Sequence, residues 1–241
     1  MTRAVSAVTS PEPVGPVNSP GPARSPGPTR SPRPPASARS PGSTVPARRG
    51  RPGHDLESLL QTAVRLFNER GYDGTSMEDL SRKLGITKSA IYHHVPSKEE
   101  LLRLATGRAL DGLFEIASEV EASPGPAIDR LERLVRGSVA VLADRLPFVT
   151  LLLRVHGNTR AERDALARRR EFDRFAADLV GQAAAEGDIR PDIDPAVTAR
   201  LIFGLVNSLI EWYRPRRGTS PAELADAVCT IAFDGLRVRS R

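Results

Sequence analysis

The chain has 241 residues and a formal net charge of +6 at neutral pH, which allows one large domain or two small ones with a buried core. Residues 1–53 carry eight arginines and one glutamate, so the remaining residues sum to −1 and give no general argument for nucleic-acid binding. One cysteine, Cys229, excludes an intramolecular disulfide, and since no apolar run reaches about 18 residues we predict a cytoplasmic protein without a membrane span.

The first segment, residues 1–53, contains 13 of the 21 prolines and a six-residue repeat that starts at Ser19, Ser25 and Ser31. Each proline fixes its own φ angle and lacks an N–H donor, and the segment has almost nothing apolar to bury. This composition predicts a disordered tail with local polyproline II character.

A first helix is predicted directly after this tail. Asp55 can cap its start and Gly71 its end. Apolar residues between them follow the 3.6-residue period of one helical face, at Leu56, Leu59, Leu60, Ala63, Val64 and Phe67.

Two short helices follow. Ser76 and Asp79 have the spacing of a capping box, which predicts a second helix over Glu78–Leu84, and Gly85 supplies a tight turn. A third helix over Lys88–His94 ends before a proline, because the residue before proline disfavours helical geometry.

These three helices are each too short to bury a face alone, so we expect them to pack together. The inward residues are predicted to be Leu80, Leu84, Ile86 and Ile91. A polar cluster then faces outward from the third helix, at Lys88, Ser89, Tyr92 and His93. This is the arrangement of a helix-turn-helix, which presents its last helix to a DNA major groove.

The run AVRLFNERGYDGTSMEDLSRKLGITKSAIYHHVPSKEELL, residues 63–102, resembles the N-terminal domain of TetR-family transcriptional regulators at nearly every position. It differs at Val95, where the family usually has phenylalanine. The resemblance covers about residues 54–105 closely, and beyond them the chain is similar mainly in being helical. It implies an all-α fold with a tail over 1–53, a helix-turn-helix domain over 54–100 and a helical effector-binding and dimerisation domain over 101–238.

The resemblance also implies which residues contact double-stranded DNA: Arg51, Thr75, Thr87, Lys88, Ser89, Tyr92, His93 and Lys98. Lys88 and Ser89 are candidates for reading base edges, and Lys98 is a candidate for binding phosphate. Arg51 belongs to a short basic arm that either reaches the DNA or is only a solvated tail. Lys88 has the alternative of being a solvated charge. The adjacent His93 and His94 have no partners at metal-ligand spacing, so we predict no metal site and no cofactor.

Beyond residue 97 the sequence alternates helical stretches with proline and glycine breaks. Several prolines stand where the first turn of a helix tolerates them. The predicted helices cover residues 98–120, 126–143, 147–155, 160–186, 195–213 and 221–238.

The last two predicted helices are apolar on more than one side, so both sides must be buried. An intrachain core explains this, and so does the family's homodimer, in which these helices pair with their copies. We favour the homodimer, because two-fold symmetry doubles the contact with DNA. The predicted interface residues are Leu201, Leu205, Leu209, Trp212, Leu224, Val228 and Ile231.

By resemblance, a small-molecule effector binds in the helical body. The candidate lining residues are Phe114, Leu142, Phe148, Leu152, His156, Arg169, Phe172 and Phe175. Ordinary core packing is the alternative for each apolar residue, and a solvated arginine face is the alternative for Arg169. The region from Arg154 to Tyr213 resembles members that respond to acyl-CoA thioesters, and arginines suit phosphate recognition.

These residues favour one of three functions over the other two. An enzyme is not indicated, because the chain has no phosphate-binding glycine loop, no metal-ligand spacing and no elbow serine. An architectural DNA binder without an effector would leave the aromatic residues of the body unexplained. The sequence favours a regulator, and by resemblance a repressor released from a palindromic operator by a hydrophobic or acyl-CoA effector.

Overall fold

The computed structural model describes residues 55–215 and 218–236, and within them the chain is helical without a strand. The predicted all-α fold is therefore confirmed for this part, while the tail and Arg51 lie outside the described residues. The helices are α1 (Leu56–Arg70), α2 (Met77–Leu84), α3 (Lys88–His94), α4 (Lys98–Glu121), α5 (Ala127–Asp144), α6 (Leu146–Leu153), α7 (Arg160–Glu186), α8 (Pro195–Trp212) and α9 (Pro221–Leu236).

Side-chain caps define the ends of the first helices. Asp55 accepts a hydrogen bond from the backbone N–H of Ser58 at 2.8 Å, as an N-cap does. Ser76 and Asp79 form the predicted capping box at the start of α2. Gly85 ends α2 with a φ of 67°, in the left-handed region that glycine adopts without steric cost.

The three N-terminal helices share a small core. Leu80 and Ile91 are fully buried in it, whereas Leu84 and Ile86, which were expected to point inward, are only partly buried at its edge. Val95 is buried as well, so this smaller residue still fills its position in the core. Phe67 and Tyr72 pack edge to face, with ring centroids 5.2 Å apart.

The helical body packs around α7, the longest helix. α7 contacts α4, α5 and α8, while α9 packs mainly on α5. α1 contacts both α4 and α6, so one continuous hydrophobic core joins the helix-turn-helix to the body. Cys229 is buried in this core, and burial raises the pKa of its thiol to about 11. Among the described residues, no helix is both long and apolar enough to cross a membrane.

Alanine substitutions at two glycines test the backbone conformations assigned to them. Gly85→Ala should lower the free energy of unfolding by about 1–2 kcal/mol, because a side chain strains the left-handed conformation. Gly107→Ala, inside α4, should raise it by about 0.5–1 kcal/mol, because its methyl group meets only a carboxylate oxygen at 4.0 Å. Urea denaturation of both variants measures the two values. Changes of equal sign would contradict the assigned backbone conformations.

Candidate functional site

The outer face of α3 carries most of the predicted DNA-contacting residues. Thr87, Lys88, Ser89 and His93 are exposed, and Tyr92 keeps 46% of its surface accessible. Thr87 also accepts a hydrogen bond from the N–H of Ala90 at 3.2 Å and so starts the helix, as predicted. One face of α3 therefore holds a hydroxyl, an ammonium, an imidazole and a phenol that can reach a surface outside the protein.

α3 is fixed from its buried side and from its flanks. Ile91 is fully buried beneath it, and the N–H of Ile86 donates to the carbonyl of Ser81 across the turn from α2 at 3.1 Å. Lys88 forms an exposed ion pair with Glu78 of α2 at 3.6 Å. Such a surface pair contributes little to stability, so the Lys88 ammonium remains available to an external anion.

Thr75 was expected to contact DNA, and the structure contradicts this placement. Its side chain is buried, and its hydroxyl donates to the carbonyl oxygen of Gly71 at 2.8 Å. A buried hydroxyl that is already paired cannot reach a phosphate. Thr75 therefore closes the turn between α1 and α2.

Lys98 also differs from its expected role as a free phosphate-binding amine. Its Nζ donates to the carbonyl oxygens of Tyr72 and Thr75, both at 2.9 Å, and lies 4.1 Å from the centroid of the Tyr72 ring. These contacts use two of the three N–H donors of a lysine. The pKa of the Tyr72 phenol is raised to about 12, mainly by burial and to a smaller extent by the nearby carboxylate of Glu99. The phenol is therefore neutral beneath the Lys98 ammonium.

The next residue, Glu99, binds a different element, the start of α7. Its carboxylate accepts a hydrogen bond from the backbone N–H of Ala161, in the first turn of α7, at 3.0 Å. The start of α7 is also capped by Thr159 and by the buried carboxylate of Glu162. The first turn of α4 thus holds the α1–α2 turn through Lys98 and the start of α7 through Glu99. Neither of these long-range contacts has a signal in the local sequence pattern.

α1 is tied to the body by two further polar links. Arg108 of α4 makes a bidentate pair with Glu57, with both N–O distances at 2.6 Å, and this pairing lowers the pKa of the Glu57 carboxyl. The side chain of Asn68 donates to the carbonyl oxygen of Pro147 at 2.8 Å. The helix-turn-helix is therefore connected to the body through α1 as well as through α4.

An inner cavity of about 40 Å³ lies between α4, α5, α6, α7 and α8. Four of the predicted effector residues come together in its wall: Leu142, Leu152, Arg169 and Phe172. Phe203, Val206 and Asn207 of α8 also line this cavity, and none of these three was predicted. The wall is mostly apolar, and its volume has room for only a few waters.

The other four predicted effector residues lie elsewhere. Phe148 packs 5.1 Å beneath the guanidinium of Arg108, on a groove between α1 and α4, and His156 lines a separate cleft beside the α1–α2 turn. Phe175 packs against the hydrophobic core and does not line the inner cavity. Phe114 stands behind the inner cavity, where its ring meets that of Phe172 edge to face at 6.3 Å. The apolar character of the three phenylalanines predicts that they are buried, but it does not predict which surface or cavity each one faces.

An outer chamber of about 240 Å³ opens beside the inner cavity, between α7 and α8. Arg170, Arg174 and Arg200 line it, and Asp173 and Phe203 line both chambers. Within the described part of the chain, none of these three arginines has an ion-pair partner. The i, i+4 spacing of Arg170 and Arg174 was visible in the sequence, but the contribution of Arg200 required the packing of α8 against α7.

The predicted dimer residues divide into two groups. Leu201, Leu205, Trp212 and Ile231 are exposed by 63%, 41%, 58% and 68%, which is unusual for large apolar side chains. The other three, Leu209, Leu224 and Val228, are buried within the chain's own core, so the prediction that they face a partner was wrong. Helical periodicity identified the apolar faces but not which of them α5 and α7 cover.

Comparison with known proteins decides the family. Residues 59–105 match the family model of bacterial regulatory proteins of the tetR family, and residues 124–236 match that of the tetracyclin repressor-like C-terminal domain. The structure of SCO3833, a member of the TetR transcriptional regulator family from Streptomyces coelicolor A3, is 57% identical. It covers 76% of this chain and 92% of its own, with a TM-score of 0.71.

The chain belongs to the TetR family. It is therefore a DNA-binding transcriptional regulator with a ligand-binding C-terminal domain, and the family predicted from residues 63–102 is confirmed. TetR regulators bind operator DNA and small-molecule effectors and act as dimers. The exposed α3 face and the two chambers beside α7 are the candidate sites for these two kinds of ligand.

Two further relatives are similar over most of their length. The HTH-type transcriptional repressor KstR2 of Mycobacterium tuberculosis is 26% identical over 196 residues, which is 80% of this chain and 94% of the relative. The structure of AibR in complex with isovaleryl coenzyme A and operator DNA is 29% identical, with a TM-score of 0.63, and covers 73% of this chain and 97% of its own.

Lys98 should matter for the stability of this TetR protein. Lys98→Met should lower the free energy of unfolding by about 2 kcal/mol, because two part-buried carbonyl oxygens lose a charged donor. The control Lys83→Met removes the same charge from an exposed site on α2 and should change stability by less than about 0.5 kcal/mol. Urea denaturation measures both, and equal losses would show that Lys98 does not hold the turn.

Proposed function

We propose that the protein is a homodimeric repressor that binds a palindromic operator and is released by an acyl-CoA thioester. The observation that carries the choice of effector is the arginine-lined outer chamber, which adjoins an apolar cavity. KstR2 and AibR, both similar over nearly their whole length, support the proposal: one is named a repressor, and the other was solved with an acyl-CoA and operator DNA.

DNA recognition is assigned to α3 and its start. α3 has only seven residues, so a single copy reads few base pairs. Two copies related by a two-fold axis and separated by about 34 Å would read two successive major grooves. In this arrangement Lys88 and Ser89 contact base edges, while Thr87, Tyr92 and His93 contact the backbone. Lys98 retains one N–H donor that can point to a nearby phosphate.

The outer chamber suits the phosphates of coenzyme A. Guanidinium groups bind phosphate through paired, charge-assisted hydrogen bonds. Arg170 and Arg174 approach from α7 and Arg200 from α8, so an anion between them can be held from two sides. The acyl group of the same molecule would then point through the shared wall at Phe203 into the inner cavity.

The small volume of the inner cavity explains how binding of an acyl chain would change the conformation of the protein. Its volume of about 40 Å³ is too small for an acyl chain, so binding has to move the walls. Phe172 of α7 meets Phe203 of α8 at 5.3 Å and Phe114 of α4 at 6.3 Å, so a chain entering the cavity displaces contacts with both helices. An effector shifts the protein toward whichever state it binds more tightly, and here that is the state with α7 displaced from α4.

Displacement of α7 reaches the DNA-binding helices through the first turn of α4. The hydrogen bond from Ala161 to Glu99 connects the start of α7 to this turn, and Lys98 connects the turn to the α1–α2 loop. A change in the tilt of α4 alters the distance between the two α3 helices of a dimer. Since that distance must match one turn of DNA, a small change is enough to release the operator.

Ligand binding by the purified protein tests the effector assignment. Octanoyl-CoA should bind, and Arg174→Ala should weaken it by about tenfold or more, because a charge-assisted hydrogen bond contributes about 1.5–3 kcal/mol. The control Arg160→Ala removes an exposed arginine near the start of α7 and should leave the affinity unchanged. Isothermal titration calorimetry measures these affinities. Wild-type protein that binds no thioester, or equal losses in the two variants, would contradict the proposal.

The dimer is tested separately on the exposed face of α8. Leu201→Glu should produce a folded monomer that no longer binds a palindrome, because a charge replaces apolar surface at the interface while the side chain is not needed by the chain's own core. Leu56→Glu, an exposed leucine of α1, is the matched control and should remain dimeric. Sedimentation velocity gives the oligomeric state. A Leu201→Glu protein that stays dimeric would place the interface on another face.

A further inference from the structure

In the part of the chain that the structure describes, Asp173 is the one acidic side chain that lines the two chambers. It lies on α7 at the junction between them, since it contributes to the walls of both the outer chamber and the inner cavity. Around it are Arg169, which lines the inner cavity, and the three arginines of the outer chamber. Within the described residues, its carboxylate makes no hydrogen bond and no ion pair.

A carboxylate at this position is not explained by attraction of an anion. The four arginines would hold phosphate more strongly if residue 173 were neutral, because a like charge repels the ligand. Nor does the carboxylate cap a helix or satisfy a buried donor, as Glu99 and Glu162 do. Its position at the junction suggests instead that it acts on the part of the ligand that passes between the chambers.

We propose that Asp173 is a specificity-determining residue that rejects free carboxylic acids and admits their neutral coenzyme A thioesters, an inference that rests on the proposed function. A free acid with its chain in the inner cavity places its own carboxylate at the junction, beside Asp173. A thioester with the same chain has an uncharged carbonyl at that point. Its phosphates lie farther out, where Arg170, Arg174 and Arg200 line the chamber.

Asp173 is partly desolvated by the chamber walls, although the residue as a whole remains exposed to solvent. Burial by the chamber walls raises the pKa of the Asp173 carboxyl, against the opposite effect of Arg169 and Arg200. Because solvent still reaches Asp173, water screens part of its repulsion of a second carboxylate, so the expected effect on affinity is modest. Among the described residues, the charged side chains that line the two chambers are Asp173, Arg169 and Arg200, together with Arg170 and Arg174 on α7.

Acidity should weaken the rejection. A raised pKa means that Asp173 takes up its proton at a higher pH than an ordinary aspartate, and the neutral form no longer repels an anion. Octanesulfonate stays anionic throughout this range, so its affinity reports the state of the protein alone. Its affinity for wild-type protein should rise as the pH falls through the pKa of Asp173, by more than its affinity for Asp173→Asn.

The deciding experiment compares octanoate with octanoyl-CoA by calorimetry at pH 7.5. In the wild-type protein octanoyl-CoA should bind much more tightly than octanoate. Asp173→Asn should reduce the ratio of the two dissociation constants by about tenfold, mainly because octanoate binds more tightly. Glu171→Gln removes the same charge from an exposed site on α7 outside both chambers and should leave the ratio as it is.

The possible outcomes separate the two claims. A wild-type protein that binds no thioester overturns the proposed function, and this inference with it. A wild-type protein that binds octanoyl-CoA, with an unchanged ratio in Asp173→Asn, overturns only the role of Asp173. Equal tightening of both ligands also overturns it, because the carboxylate would then oppose anions in general. Asp173→Ser repeats the comparison if thermal melting shows that Asp173→Asn is unfolded.

Discussion

The arrangement of this regulator depends on two hydrogen-bonded contacts in the first turn of α4. Lys98 binds the carbonyl oxygens of the α1–α2 turn, and the adjacent Glu99 binds the first turn of α7. Successive residues on a helix point in different directions, so one turn can bind two separate elements. These contacts hold the helix-turn-helix and the body together at the first turn of α4, so the orientation of α3 relative to the body depends on this turn.

α7 connects this first turn of α4 to both the outer chamber and the inner cavity. Its start binds Glu99, its middle carries Arg169, Phe172 and Asp173, and its length packs against α8. α8 in turn presents Leu201 and Trp212 to solvent on the face assigned to the dimer. In the proposed function, an effector that moves α7 changes both the contact with the first turn of α4 and the position of α8, whose exposed face is the proposed dimer face. Sub-ångström shifts are amplified in such a core because close-packed side chains do not deform continuously.

Local patterns in the sequence predicted most of the fold and part of the site. Capping residues such as Ser76 and Thr87, together with helical periodicity, predicted the helices and the exposed face of α3. Periodicity shows that a face is apolar but not what covers it, so Leu209 was assigned to a partner although its own chain buries it. The partners of Lys98 and the junction at Asp173 depend on residues distant in sequence, which no local pattern contains.

The central claim is that an effector in the body releases DNA through the α7–α4 contact. Footprinting of the DNA that flanks the protein's own gene, with and without saturating octanoyl-CoA, tests it most directly. The account predicts a protected palindrome whose protection is lost when the thioester is added. Protection that persists while the thioester is bound would show that the chambers and the α3 face are not coupled.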